Sequence, residues 1–304
     1  MALFEIKKDK LEYIKEEKFK LEKEIQNLTE NNLYNIFGLN FVKSEFALNN
    51  FRIDTLAFDT QSKSFVIIEY KRDKSFSVVD QGYAYLSLML NNKADFILEY
   101  NENNEHTLKR NDIDWSQSRV MFISPSFTTY QREAINFKDL PIELWEIKKY
   151  INQTVSYNQI QTDGAEESIK TISKGNDTID KVSKEIKVYT EDDHLYSAND
   201  EIKELYEKFK TAILNFDNVE IKPQKLYIAF TKNSSNFVDI EIQKKALKIY
   251  INLQIGKLED PKNIARDVSK IGTWGNGDYL IKIENDNDFE YIMSLIKQSY
   301  LAKW

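Results

Sequence analysis

The chain has 304 residues, of which 41% are hydrophobic and 30% charged, with a net charge of −7. That composition belongs to globular domains with real cores, about two of them by length, and excludes a disordered chain. The absence of Cys and the presence of only two His exclude a disulfide framework and a structural zinc site.

No apolar run reaches the ~20 residues needed to span a bilayer. Charge follows the short apolar start at once, unlike a secretory leader. A cytoplasmic protein with no membrane partner is therefore expected.

In chain order, Leu11, Ile14, Leu21, Ile25 and Leu28 recur at helical steps and predict a long charged opening helix. "FVKSEFAL" (41–48) reads as a strand. "FRIDTLAFD" and "SFVIIEYK" read as two more, joined by a turn over residues 60–63. "SVVDQGYAYLSLMLNN" predicts a helix capped by Ser77. "ADFILEY" (94–100) and "RVMFISPS" (119–126) read as buried strands, "TTYQREAINFKDL" as a helix and "IELWEIKKY" as a closing strand. Three antiparallel strands followed by strand–helix crossovers imply a mixed sheet flanked by helices.

Residues 151–185 turn polar and read as a linker with room for a short helix. A smaller α+β domain, 186–304, follows the first domain, 1–150. "ANDEIKELYEKFKTAILNF" predicts an amphipathic helix and residues 225–253 three strands. "PKNIARDVSK" predicts a short helix, "GTWGNGDYLIKI" a Gly-rich turn entering a strand, and residues 287–303 the last helix.

The predicted hairpin carries three charges among its Phe, Ile and Val residues. Residues two apart share a face of a strand. A turn at 60–63 sets Phe58 opposite Phe65, Leu56 opposite Ile67 and Asp54 opposite Glu69. The shared face is apolar near the turn and becomes Asp54, Glu69 and Lys71 at the open end. Directly opposed Cβ atoms lie about 5 Å apart. Two carboxylates at that spacing repel unless a cation sits between them, and hard oxygen donors suit Mg²⁺ or Mn²⁺. Lys71 on the same face can orient a water or steady phosphate charge.

"RID" with Asp54, then "EYK" with Glu69 and Lys71, resembles the PD-(D/E)xK nuclease superfamily, the restriction-endonuclease-like fold, with Ile53 replacing the Pro of the name. "QGYAY" is similar to the Q-x-x-x-Y element of RecB-like members, with Gln81 and Tyr85 on one helical face. The resemblance covers roughly residues 10–150. It implies a metal-dependent nuclease acting on DNA. Asp54, Glu69 and the backbone carbonyl of Tyr70 would hold the metal, and Lys71 would assist at the phosphate. Gln81 would orient Lys71 or touch the substrate backbone, with Tyr85 beside it. It also implies an early acidic ligand on the first helix, for which Glu24 fits best, with Glu22 and Glu30 nearby. Two other readings are a nucleic-acid-binding module that lost activity and a protein-interaction protein. A homodimer is left open.

"KLYIAFTKNSSNFVDIEIQKKALKIYINL" and "ARDVSKIGTWGNGDYLIKI" resemble a bacterial domain of unknown function. That domain occurs in chains labelled predicted transport proteins and fused to modification-dependent restriction enzymes, which implies nucleic-acid recognition. Lys225, Tyr227, Lys232 and Asn233 around one strand, Arg266 on the short helix and Trp274 before "GNGD" are the expected contacts. Asp239 and Glu241, two apart, read as a solvated strand face.

Overall fold

The computed structural model describes residues 2–72, 77–161, 165, 167–171, 176–271 and 275–303. The chain forms two compact units, Met1–Val188 and Tyr189–Trp304.

The first unit opens with β1 (Phe4–Lys7), β2 (Lys10–Tyr13) and β3 (Glu16–Glu17). The long opening helix is thus corrected to three short strands, and helix α1 is confined to Glu22–Glu30. Phe4 and Ile6, and Leu11 and Tyr13, alternate at period two, and left-handed Lys8 and Asp9 close a hairpin between them. Then come α2 (Leu33–Phe37), β4 (Asn40–Leu48), β5 (Phe51–Asp59), β6 (Ser64–Tyr70) and α3 (Val78–Asn91). Ser77 caps α3 as expected, accepting from the Asp80 N–H at 3.3 Å.

The segment "ADFILEY", expected as a strand, lies in helix α4 (Lys93–Asn103). Its buried residues, Phe96 and Tyr100, are four apart, while Leu98 between them is 57% exposed; that is one helical stripe and not a buried strand. The unit continues with β7 (Arg119–Ser124), α5 (Thr129–Ala134), β8 (Ile142–Tyr150), β9 (Val155–Gln159) and α6 (Asp177–Glu185).

These strands make a seven-stranded mixed sheet in the order β3-β8-β7-β6-β5-β4, with β9 also on β8. β4, β5 and β6 are antiparallel to one another, and β6, β7 and β8 run parallel. One face, with Leu56, Phe58, Phe65 and Ile67, packs with Leu86 of α3 and Phe96 of α4. The other, with Ala57, Val66, Ile68 and Tyr70, packs with Ile25 of α1 and Phe37 of α2.

The polar stretch 151–185 holds a strand, β9, as well as the short helix α6. β9 lies along β8, and Ile179 and Val182 of α6 enter the core beneath α3. A few apolar residues at helical spacing are enough to anchor an otherwise polar segment.

The second unit contains α7 (Glu191–Leu195), α8 (Asp200–Leu214), β10 (Val219–Pro223), β11 (Ile228–Lys232), β12 (Ser235–Gln243), β13 (Ala246–Ile251), β14 (Arg266–Asp267), β15 (Tyr279–Ile283) and α9 (Phe289–Leu301). Its antiparallel sheet runs β10-β11-β12-β13-β15-β14. Phe209 of α8 and Ile292, Leu295 and Ile296 of α9 pack with Val238, Ile240 and Ile249 of the sheet. The short helix expected at "PKNIARDVSK" does not form. Asn263 takes a left-handed turn, the Asp260 carboxylate accepts from the Ala265 N–H at 2.8 Å, and Arg266 lies on β14 instead.

Gly277 has φ +93, and a Cβ there would sit 2.4 Å from the Ile251 carbonyl oxygen. Both facts require glycine. Gly277→Ala is expected to destabilise the protein by about 2 kcal/mol or more. Chemical denaturation of the variant measures this, and a loss below about 0.5 kcal/mol would mean that the loop relaxes freely.

Among the described residues, no helix is long and apolar enough to cross a membrane.

Candidate functional site

The hairpin register is the expected one, with Phe58 opposite Phe65, Leu56 opposite Ile67 and Thr55 opposite Ile68. One step further along, the Asp54 N–H donates to Glu69 Oε1 at 3.1 Å. The Tyr70 N–H donates to Asp54 Oδ2 at 3.0 Å, and Lys71 Nζ lies 3.2 Å from Glu69 Oε2. Lys71 leaves the sheet at the carboxyl end of β6, its N–H still bonded to the Ile123 carbonyl at 2.9 Å. Asp54, Glu69 and Lys71 therefore meet at the end of the parallel pair β6–β7, where α/β sheets commonly place ligands.

Glu69 is only 2% exposed. Burial, and then the neighbouring Asp54 charge, push its carboxyl up to about 7, against the pull of Lys71. Asp54 is likewise raised, mainly by burial, with the Tyr70 N–H opposing. Both carboxyls are thus raised, the buried Glu69 and the half-buried Asp54, and a bound cation would lower them.

The face that carries them is the one covered by α3. Gly82 lets that helix lie close to the sheet, since a Cβ would meet Ile142 Cδ1 at 2.5 Å. Gln81 donates to the Tyr85 hydroxyl at 3.3 Å. That hydroxyl donates to the Arg52 carbonyl at 3.4 Å, and it stands near enough to Glu69 to favour that carboxylate's charge. Tyr85 is 6% exposed, so it offers no open stacking surface. Burial raises its phenol.

The first-helix acid is placed differently from expectation. α1 packs on the opposite face of the sheet, and Glu24 turns back to accept from the Lys20 N–H at 3.0 Å. Glu22 and Glu45 are the further acids whose charge reaches Asp54, and Glu22 also accepts from the Arg72 N–H at 2.8 Å. Glu30 holds the Thr55 hydroxyl at 2.6 Å. Among the described residues, no three Asp, Glu or His side chains gather as a metal cluster. The donor set is two adjacent carboxylates, which fits a hard divalent cation that keeps much of its water.

Sequence reasoning missed Gln26. It is 4% exposed and donates to the Asp54 carbonyl at 2.9 Å, to Glu30 at 2.9 Å and to Ser44 at 3.2 Å. It ties α1 to the strand that carries Asp54. The signal was a Gln set inside the apolar stripe beside Ile25.

Among the described residues, the expected contacts in the second unit lie apart. Lys232 turns to the end of α9, 2.9 Å from the Lys303 carbonyl, with its ammonium 4.2 Å from the Tyr300 ring centroid. Tyr227 is 5% exposed, and its hydroxyl accepts from Asn276 at 2.8 Å. Asn233 occupies a left-handed turn position, and Lys225 is exposed in the loop before β11. Arg266, on β14, is four strands from β11, roughly 19 Å at sheet spacing. Trp274 lies outside the described residues.

Asp239, expected on a solvated face, is fully buried. Gly275 comes so close to Tyr250 that a Cβ would lie 2.3 Å from its ring, so the loop beyond Gly275 covers this face. Asp239 accepts from Asn236 at 2.9 Å, Asn252 at 3.3 Å and the Asn276 N–H at 2.7 Å. Burial pushes its carboxyl up to about 7.

Fold and site thus define a two-unit α/β protein with a carboxylate pair and a lysine at the end of a mixed sheet. A protein of Haemophilus influenzae, named only "Uncharacterized protein", is 55% identical over 300 residues, 98% of this chain and 99% of that one. This chain belongs to the same family. Residues 191–303 match the family described as "Domain of unknown function (DUF5655)". Among solved structures, the chain is similar to one titled "Structure of EndoMS-dsDNA2 complex", at TM-score 0.28 and 18% identity over 43% of this chain and 47% of that one. A repair endonuclease from Pyrococcus abyssi is similar at TM-score 0.23 and 19% identity over 39% and 44%. In both, the chain spans less than half the length of the neighbour.

Proposed function

We propose that the protein is a metal-dependent nuclease of the PD-(D/E)xK type that cleaves DNA phosphodiester bonds. The observation that carries the reading is the apposition of Asp54, Glu69 and Lys71 at the end of β6. Asp54, Glu69 and the Tyr70 carbonyl would hold Mg²⁺ or Mn²⁺. A cation bound there supplies Lewis-acid stabilisation of phosphoryl oxygens and makes water more acidic.

The chain's own groups do the rest. Lys71, 22% exposed, holds a positive charge at the mouth of the pair, where it offsets charge on a phosphoryl oxygen. Gln81 orients the Tyr85 hydroxyl, which stands beside Glu69. Gln26 fixes the Asp54 backbone. Lys71→Ala is expected to lower cleavage by about 10²-fold or more while retaining Mn²⁺ binding by calorimetry, because an ammonium is no metal ligand. Loss of Mn²⁺ binding in that variant would mean that Lys71 serves only to hold the carboxylates.

The test of the function itself is incubation of the wild-type chain with plasmid, linear duplex and single-stranded DNA in Mg²⁺ or Mn²⁺, with and without chelator. Chelator-sensitive cleavage supports the reading. Intact DNA under all conditions would leave a binding role for the same fold and reject the catalytic one.

A further inference from the structure

Strand β4 carries a backbone irregularity beside the carboxylate pair. Ser44 stands opposite Thr55 and Phe46 opposite Ile53, so Glu45 falls at the step of Asp54. Glu45 has φ +54, a left-handed conformation that a residue with a Cβ adopts only against resistance. The backbone groups of Asp54 turn to side chains at the same step. Its N–H donates to Glu69 Oε1 at 3.1 Å, and its carbonyl accepts from Gln26 at 2.9 Å.

The Glu45 carboxylate lies between two cations from different elements. Its Oε1 is 3.1 Å from Lys23 Nζ on α1, and its Oε2 is 2.9 Å from Arg52 Nε on β5. Lys23 is 50% exposed and Arg52 69%. Two cations against one carboxylate leave a positive charge over, and the Glu45 charge reaches Asp54, so the cluster borders the carboxylate pair. Ion pairs this exposed add little to stability, which makes them a poor reason to hold a left-handed residue inside a strand. Backbone strain of this kind clusters at ligand clamps and active sites.

Taking the pair as a DNA-cleaving site, we infer that Lys23 and Arg52 form a clamp for a backbone phosphate flanking the scissile one, and that Glu45 fills the clamp until DNA displaces it. A phosphodiester carries one negative charge on two free oxygens, the same complement as the carboxylate it replaces. The guanidinium and the ammonium both donate to such oxygens, the former in a planar fork. Because the pairs with Glu45 are exposed and weak, exchanging them for a phosphate costs the fold little. Contacts of this kind set the register of the strand over the site and carry no sequence preference.

The test reads binding and not cleavage: fluorescence anisotropy of a labelled duplex with the full chain in Ca²⁺, over a series of salt concentrations. Melting temperatures of the same preparations check the fold. Lys23→Gln/Arg52→Gln is expected to weaken binding several-fold at low salt and to make the slope of log affinity against log salt shallower by about 1. Glu45→Gln removes the competing charge and is expected to tighten binding several-fold. In the Lys23→Gln/Arg52→Gln background the same substitution should give no gain, because no clamp is left to free. A Glu45 that merely ties β4 to α1 would give weaker or unchanged binding when replaced. A slope untouched by Lys23→Gln/Arg52→Gln, no tightening by Glu45→Gln, or equal tightening in both backgrounds would overturn the clamp and leave the nuclease reading standing. A wild-type chain with no salt-dependent binding to duplex would overturn the clamp together with the reading beneath it.

Discussion

Asp54→Ala and Glu69→Ala are each expected to lower DNA cleavage by about 10³-fold or more while the fold survives. A bound metal contributes several kcal/mol of transition-state stabilisation, and each 1.36 kcal/mol is a factor of ten in rate. Either substitution removes half of the carboxylate pair. The cost to the fold is modest, because the two carboxylates also disfavour each other: the Asp54 charge is the second cause, after burial, of the raised Glu69 carboxyl. Glu69→Ala leaves the Asp54 N–H without its carboxylate acceptor, and Asp54→Ala does the same to the Tyr70 N–H. Each loss is on the order of 1–2 kcal/mol, partly offset by the relieved repulsion. Cleavage rates and melting temperatures of the same preparations separate the two effects. A variant that cuts at the wild-type rate would remove its residue from the site.

The second large effect is expected in the C-terminal unit. Asp239→Ala strips the acceptor from Asn236, Asn252 and the Asn276 N–H at once. Buried donors left unmatched cost about 1–3 kcal/mol each, so a total loss of about 3–9 kcal/mol is expected. The wild-type residue should also give a pH slope. Its folded carboxyl is raised to about 7 from an ordinary 3.8. A raised acid contributes stability in its protonated form, fully present below the unfolded value and lost as pH rises through the folded one. Between about pH 4 and pH 7 that contribution falls by roughly 4 kcal/mol. Asp239→Asn removes the titration. The difference in melting temperature between wild type and Asp239→Asn should therefore shift in favour of the variant from about pH 5 to about pH 8. A difference independent of pH would show that Asp239 is ionised throughout.

Much of the first unit could be read from its strands. The hairpin register followed from period two and a four-residue turn, and that register alone places Asp54 beside Glu69 and Lys71. What could not be read depends on packing partners. Leu11, Ile14 and Leu21 satisfy helical spacing, yet only Leu11 lies in a strand, Ile14 follows it and Leu21 is the N-cap of α1; the left-handed turn at Lys8 and Asp9 has no Gly to announce it. Phe96 and Tyr100 lie in an apolar run too short to separate helix from strand by pattern. The choice between Glu22 and Glu24 depends on where α1 begins, and Leu21 at its N-cap makes no side-chain cap bond. Asp239 looked solvated because its strand alternates. Its burial depends on a loop some forty residues later, at Gly275 and Asn276, folding over that face of the sheet.

The most direct test of the account is cleavage of labelled duplex DNA by the wild-type chain in Mn²⁺, run beside Asp54→Ala and a chelator control. The account predicts cutting by the wild type alone, abolished by the chelator and absent in the variant. Duplex left intact by the wild type, or cut equally by Asp54→Ala, would contradict it.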